Sequence, residues 1–369
     1  MRGRRGCGRG PRLTLEAVLV SLLISAGLAG SPSAMASQTP ERPGVGATNT
    51  CSWTVVPGVP TAGLSAVKVL SKDDAWALSP FPPLVLHWNG SNWLPTPTPV
   101  PVPRGYEGMR LEGLVALSST NVWVDGSAYG FRIADLPLIE HWNGSSWARV
   151  TVPNRDPNGA ELAAISASGP NDIWAVGRES TQSDPYVVHW DGASWRLSVP
   201  PLLAGRAVWT VAAASATNVW VTQNPGVIEH WDGTAWTVQF GPVDGVTFMR
   251  TAVTSAGGPW AVGRVQLGFR YEAYTARWTG SARMPEPTPA SKFRRSDLAG
   301  VDPVSPTMAW AVGGHRFRAR AWHPLIERWD GTEWRIVHGA RFNGYLTDID
   351  GVPGNRALWA VGMQIERRC

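Results

Sequence analysis

The chain has 369 residues, 21 tryptophans, 40 glycines, 31 prolines and three cysteines, at a formal net charge of +5. No stretch beyond the first 30 residues is apolar enough to span a bilayer, which excludes a polytopic membrane protein. Arg2, Arg4, Arg5, Arg9 and Arg12 against Glu16 account for most of the positive balance, so the remainder sits near +1 and carries no nucleic-acid footprint.

Residues 1–36 read as a secretory signal peptide. An arginine-rich start precedes an apolar run from Ala17 to Gly30, and Ala34-Met35-Ala36 is a small-x-small cleavage site. The expected product is a secreted, extracellular chain cut after Ala36. A retained anchor is the other reading of the same segment. Residues 37–50 are rich in Pro, Gly, Ser and Thr and read as a disordered linker. Residues 51–369 form the folded domain.

That domain is repetitive. A WAVG-like element recurs at Trp76, Trp123, Trp174, Trp220, Trp260, Trp310 and Trp359, spaced by 40 to 51 residues. A second element, W-D/N-G-x-x-W, begins at Trp88, Trp142, Trp190, Trp231, Trp278 and Trp329, with Arg283 in place of the closing tryptophan in the fifth copy. Each unit reads as four short strands. Asp-Gly or Asn-Gly between β-rich runs marks a tight hairpin, because the turn needs positive φ. Four antiparallel strands per unit of about 50 residues make a propeller blade. The fold class is therefore all-β, a seven-bladed β-propeller.

The blades do not divide evenly along the chain. The seventh unit stops after Ile365-Glu366-Arg367-Arg368-Cys369, one strand short. Cys51-Ser52-Trp53-Thr54-Val55-Val56 resembles an isolated fourth strand. The last blade is expected to be closed by this N-terminal strand, which leaves no open sheet edge. Cys51 and Cys369 would then flank a severed hairpin turn and form a disulfide clasp, its loop spanning nearly the whole domain. Two free thiols are the alternative.

Nineteen tryptophans sit at repeat positions and read as packing between blades; Trp209 and Trp322 do not. His87, His141, His189 and His230 precede the third-strand tryptophan, where other blades carry Arg277 and Arg328. They read as half-exposed strand residues rather than a metal ring. Asn89 and Asn143 are hairpin-turn residues first. The first and third turns of each unit are short and alike. The other connections, on the opposite face, read as long and dissimilar: Leu94 to Met109, Asp125 to Pro137, Arg264 to Ala273, Met284 to Ser296 and Gly314 to Pro324. Variable loops on one side of a rigid scaffold are where binding residues gather.

Two sets of ligand-binding candidates lie in those connections. The first is basic: Arg294, Arg295, His315, Arg316, Arg318 and Arg320, with Trp322 beside them. Arginines of this kind bind carboxylates or phosphates bidentately. The second is mixed: Tyr106, Glu107, Arg110, Tyr129, Arg132 and Asp135. Ordinary solvated loops are the plainer reading of both. No nucleophile triad, metal-ligand spacing or phosphate loop is present in the sequence, so no cofactor, metal or catalytic residue is assigned.

The repeats resemble a group of exported bacterial β-propeller proteins carrying D-[VI]-W-A-V-G followed by W-D-G-x-x-W, best in the unit from Leu162 to Trp195. More remotely they are similar to kelch and Asp-box propellers. The Asp-x-Gly spacing of the Asp-box and the paired glycines of kelch are missing, so sialidase chemistry carries over to no residue. The expected function is a non-enzymatic binding module, monomeric, for a protein or glycan. A glycan hydrolase or lyase is the alternative and would draw on Glu107, Asp135, Glu179 or Asp297. A structural cell-surface protein is the third reading.

Overall fold

The computed structural model describes residues 51–59, 63–97, 100–154, 156–180, 184–198, 205–254, 258–280, 283–293, 295–316, 321–339, 341–352 and 357–368. The segments read as signal peptide and linker lie outside these residues, as do Arg294, Arg318, Arg320 and Cys369. The described residues form seven four-stranded antiparallel sheets. The strand nearest the axis of each blade is its first: Ala66–Ser71, Gly108–Ser118, Ala160–Gly169, Val208–Ser215, Val246–Ala252, Ser296–Ser305 and Leu346–Gly351. They are blades 1 to 7 in that order. A single 3-10 turn, Pro289–Lys292, is the one helical element among the described residues.

The ring closes as the severed repeat implies. Trp53–Val55 pairs with Ile365–Arg368, in the register Trp53↔Arg368, Thr54↔Arg367 and Val55↔Glu366. Cys51 is half-buried and disulfide-bonded. The register brings the end of the chain to the residues just after it.

One tryptophan contact repeats around the ring. The second-strand tryptophan of each blade packs on the third- or fourth-strand tryptophans of the next. Trp76 meets Trp142 at 6.1 Å between ring centroids, Trp123 meets Trp190 at 5.3 Å, and Trp174 meets Trp236 at 5.8 Å. Trp220 meets Trp278 at 6.1 Å, and Trp260 meets Trp334 at 5.1 Å. Trp310 meets Trp53 at 5.9 Å, and Trp359 returns to Trp88 at 5.1 Å. The N-terminal strand is thus needed twice, for the sheet of blade 7 and for the aromatic contact with blade 6.

A polar partnership sets each of these rings. In blades 1 to 4 an Asp or Asn opens the second strand and a His stands in the third. The pairs are His87 with Asp74 (2.9 Å), His141 with Asn121 (2.9 Å), His189 with Asp172 (2.7 Å) and His230 with Asn218 (3.0 Å). Each imidazole lies on the blade's own tryptophan, at 4.1 to 4.4 Å between centroids. Blades 5 to 7 lack that Asp or Asn. There Arg277, Arg328 and Arg367 lie over Trp260, Trp310 and Trp359 at 5.3, 5.9 and 5.0 Å. A guanidinium needs no acceptor to stack on an indole, whereas the imidazole is oriented by one. Residues expected to be merely half-exposed are therefore part of the packing.

In blades 1 to 4 and 6 the third turn works the same way. The Asp or Asn side chain accepts from the backbone N–H groups two and three residues on: Asp191 from Ala193 (3.0 Å) and Ser194 (2.9 Å), Asp232 from Thr234 (2.8 Å) and Ala235 (2.9 Å). The following glycines have φ near +95°, such as Gly192 at 93° and Gly233 at 97°, where a Cβ is strained. Backbone donors hold the Asp232 carboxyl down to about 2. Asn89 and Asn143 accept in the same way, so their turn role is the one seen.

Two of the long connections are shorter than expected. Residues 264–273 are paired throughout, from Arg264↔Ala273 to Leu267↔Arg270, leaving only Gly268 and Phe269 at the tip. The second strand of blade 2 runs on to Tyr129 and its partner resumes at Leu136. In blade 5 the ladder runs out into solvent, with residues 266–270 exposed, whereas in blade 2 it stays buried, Asp125, Ser127 and Ala128 being at most 2% exposed.

Truncating one contact of the ring tests its weight. Trp174→Ala removes a side chain that is 2% exposed, and large-to-small changes of this kind cost about 3–5 kcal/mol. The expected result in urea denaturation is a loss of that size, whereas Trp209→Ala, outside the repeat, shifts the midpoint little.

Candidate functional site

The face carrying the second turns and the blade-to-blade links holds two depressions. One lies over blade 6 and the other at the mouth of the central channel.

The first is a groove of about 710 Å³. Lys292 and Phe293 approach it from the link that enters blade 6. His315 and His323 flank the second turn of that blade. His338, Arg341 and Phe342 come from the link that leaves it. Phe293 stacks on His315 with 4.1 Å between centroids, and His323 stands 5.7 Å from His315. The two loops of the basic set are thus neighbours, as their sequence positions predict. Burial pushes the His315 imidazole down, and the nearby His323 and Lys292 add to this. No ion pair engages Lys292 or Arg341 among the described residues.

The other members of the basic set divide. Arg295 bridges to Tyr271 and its carbonyl accepts from Arg316 N at 2.9 Å. Arg316 lies over Trp322 at 5.4 Å, and Trp322 meets Tyr345 edge-on at 5.4 Å. Trp322 is therefore half-buried packing beside the groove. Lys292, His323, His338, Arg341 and the two phenylalanines were missed in the sequence. They sit in strand ends and links that no motif marks.

A buried glutamate anchors the link into blade 6. Glu327 accepts from Thr288 Oγ1 at 2.6 Å and from Ala290 N at 3.0 Å. This holds the turn Pro289–Lys292, which carries Lys292 to the groove. Glu140 does the same in blade 2, accepting from Val100 N and Arg149 at 3.0 Å each. Glu229 occupies the equivalent position in blade 4, fully buried and with neither oxygen bonded among the described residues, and most of the link into that blade lies outside them. Burial pushes both Glu229 and Glu327 up to about 7.

The second set of candidates does not form one site. Tyr106 packs with Met109, Ala128 and Leu138, and Glu107 N bonds to Tyr129 O at 3.0 Å. Arg132, at φ 59°, lies over exposed Phe131. Arg110 points instead to the channel mouth, where it pairs with Glu161 (2.7 Å) and Glu112 (3.0 Å). The four loop carboxylates are dispersed as well. Asp135 accepts from Ser180, next to Glu179, between blades 2 and 3. Asp297 is buried in blade 6, 3.8 Å from Arg264. Glu107 is exposed.

Deeper in the channel two cations and two carboxylates neutralise one another beside a fifth group, Asp302. Lys68 pairs with Asp350 at 2.7 Å and Arg250 with Asp348 at 3.1 Å, and the two aspartates also accept from Val69 N and Val67 N. Burial and the charges of Asp350 and Asp348 raise Asp302 well above the usual carboxylate range. At a volume of about 250 Å³ this part is a plugged axis.

No family model matches the chain, and no curated protein does. Solved structures do. YCF48 bound to D1 peptide superposes with a TM-score of 0.57 at 14% identity, over 86% of this chain and 96% of that one. YCF48 from Cyanidioschyzon merolae gives 0.57 at 16% identity, over 86% and 98%. The likeness is one of fold.

Glu229 offers a test of how the links are held. Its carboxyl is raised, so the folded state retains a proton that the unfolded chain loses near pH 4.5. Stability contributed by this group is present at low pH and is lost as pH rises toward 7. Glu229→Gln should match the parent near pH 4 and exceed it by about 1–3 kcal/mol at pH 8 in denaturant titrations.

Proposed function

We propose that this chain is an exported, monomeric binding module that holds a carboxylate-bearing peptide segment in the groove over blade 6. The observation that carries this reading is the groove itself. Lys292, Arg341 and three histidines surround it, the two permanent cations are in no ion pair among the described residues, and Phe293 and Phe342 supply apolar walls. Lys292 would give up only its place over the Phe293 ring, at 5.4 Å, to meet a ligand, whereas the paired arginines at the channel mouth would first have to be freed. A protein of the same fold has been solved with a peptide bound, which supports a peptide over a glycan.

The test is fluorescence anisotropy with a capped, labelled peptide rich in Asp, Glu and Phe, against a Lys-substituted counterpart. The acidic peptide should bind and the basic one should not. Lys292→Ala with Arg341→Ala should weaken binding by about ten-fold or more, equivalent to roughly 1.4 kcal/mol. Added salt should weaken it too. Burial lowers the His315 imidazole, so it is neutral at pH 7.5, and any gain in affinity from its protonation should appear below the ordinary histidine range rather than within it. Equal binding of both peptides, or binding indifferent to the double substitution, sinks the proposal.

Export is part of the same reading. It rests on the arginine-rich start, the apolar run and the Ala34-Met35-Ala36 site. The bonded state of Cys51 and the register of the closing strand support Cys369 as its partner. Intact mass of the secreted protein should show a chain starting at Ser37. It should also be two hydrogens short, with both thiols alkylated only after reduction. A retained N-terminus or two freely alkylated thiols would remove this part and leave the groove untouched.

A further inference from the structure

The inner strands share a defect that sequence periodicity hides. Six of the seven carry a register shift at the same height. The shifts skip Glu112, Ala163, Trp209, Met249, Ala299 and Thr347 in blades 2 to 7. A bulge sets two residues against one and re-aims a side chain out of the alternation. Here the re-aimed residues fall at the channel mouth on the face of the long links. Thr347 spends its hydroxyl on Leu64 O. The neighbouring four, Glu112, Ala163, Trp209 and Met249, line one cavity of about 390 Å³, with Leu162, Val208 and Phe248 beneath.

Trp209 is 41% exposed and Met249 is 37% exposed. They are the large apolar side chains the bulges turn outward. The charged rim is already satisfied within itself. Arg110 and Arg178 both hold Glu161, at 2.7 and 2.9 Å, and Arg110 also holds Glu112 at 3.0 Å. Asn224 Oδ1 accepts from Phe248 N at 3.1 Å. Two cations and two carboxylates cancel, so the mouth offers an ionic ligand nothing. What remains is an indole face and a thioether, a surface suited to a flat or branched apolar group.

We propose that the channel mouth is a binding site for one apolar side chain of a peptide, aromatic or branched aliphatic, received between Trp209 and Met249. This site is separate from the groove over blade 6 and does not rest on the function assigned to that groove.

The probes are N-acetyl-tryptophanamide, N-acetyl-leucinamide, N-acetyl-glycinamide and methyl β-glucoside, followed by saturation-transfer NMR on the whole secreted chain. The tryptophan and leucine amides should saturate at millimolar concentration, as ligands of this size do, and the glycine amide should not. Trp209→Ala and, separately, Met249→Asp should weaken the apolar amides by about five-fold or more. Lys292→Ala and Arg341→Ala should leave them unchanged, which separates this site from the acidic-peptide groove. Both mouth residues are exposed, and an unchanged melting temperature confirms that each variant is folded. The proposal is overturned if the glucoside saturates and the amides do not, if none of the amides binds, or if amide binding survives both substitutions.

Discussion

Each blade of this propeller is completed by its neighbour's tryptophans. A single four-stranded sheet has two apolar faces and no means of covering both. Stacking the second-strand indole of one blade on the third- and fourth-strand indoles of the next covers both at once, but only in a closed ring. The cost of leaving one gap is therefore concentrated at the join between first and last blades. The chain meets it with Trp53, which stands in the sheet of blade 7 and packs on Trp310 of blade 6. Trp53–Val55 is thereby tied into the ring by both a strand pairing and an indole contact.

That dependence explains why the fold was legible. Residues that must serve the same contact seven times recur at fixed spacing, and a spacing of 40 to 51 residues with an Asp-Gly or Asn-Gly hairpin admits few architectures. The severed blade was legible for the same reason, since Trp53 repeats a context otherwise found only at fourth strands. The histidines were half legible. Their position read them as half-exposed strand residues rather than a metal ring. Their pairing with the Asp or Asn at the head of the second strand, and the switch to arginine where that residue is absent, becomes plain only when Trp174, His189 and Asp172 are seen in one contact. The switch was nonetheless written in the repeats, as His with Asp74, Asn121, Asp172 or Asn218 and Arg without.

The candidate site was less legible, because loops obey no period. The sequence placed His315 and the arginines around it on one face, and the structure sets Phe293 against His315 there. It did not reveal that Arg316 lies over Trp322, nor that Lys292 and Arg341 reach the groove without an ion pair among the described residues. Which cation is free depends on what lies within a few ångströms of it, and the nearest groups come from three different segments. Net charge was a poor guide for the same reason. A chain that is near neutral beyond its first 36 residues still places two cations without an ion pair over one blade, while the channel pairs its own.

The bulges show how one scaffold separates stability from recognition. Along a regular strand every second residue faces the neighbouring blade, so any change is felt in the packing. One extra residue per inner strand steps out of that alternation and faces the axis instead. Leu111, Leu162, Val208, Phe248, Leu298 and Leu346, on one side of the shift, remain buried and apolar. The residues the shifts skip are Glu112, Ala163, Trp209, Met249, Ala299 and Thr347, which share neither charge nor size. A position that is free to be glutamate in one blade and tryptophan in another does not serve the core. The regularity of the buried residue beside it shows that the core is unaffected. The mouth of the channel is thus the place where this fold can alter its chemistry at little cost to the ring. Trp209 is the residue there that no packing requirement accounts for.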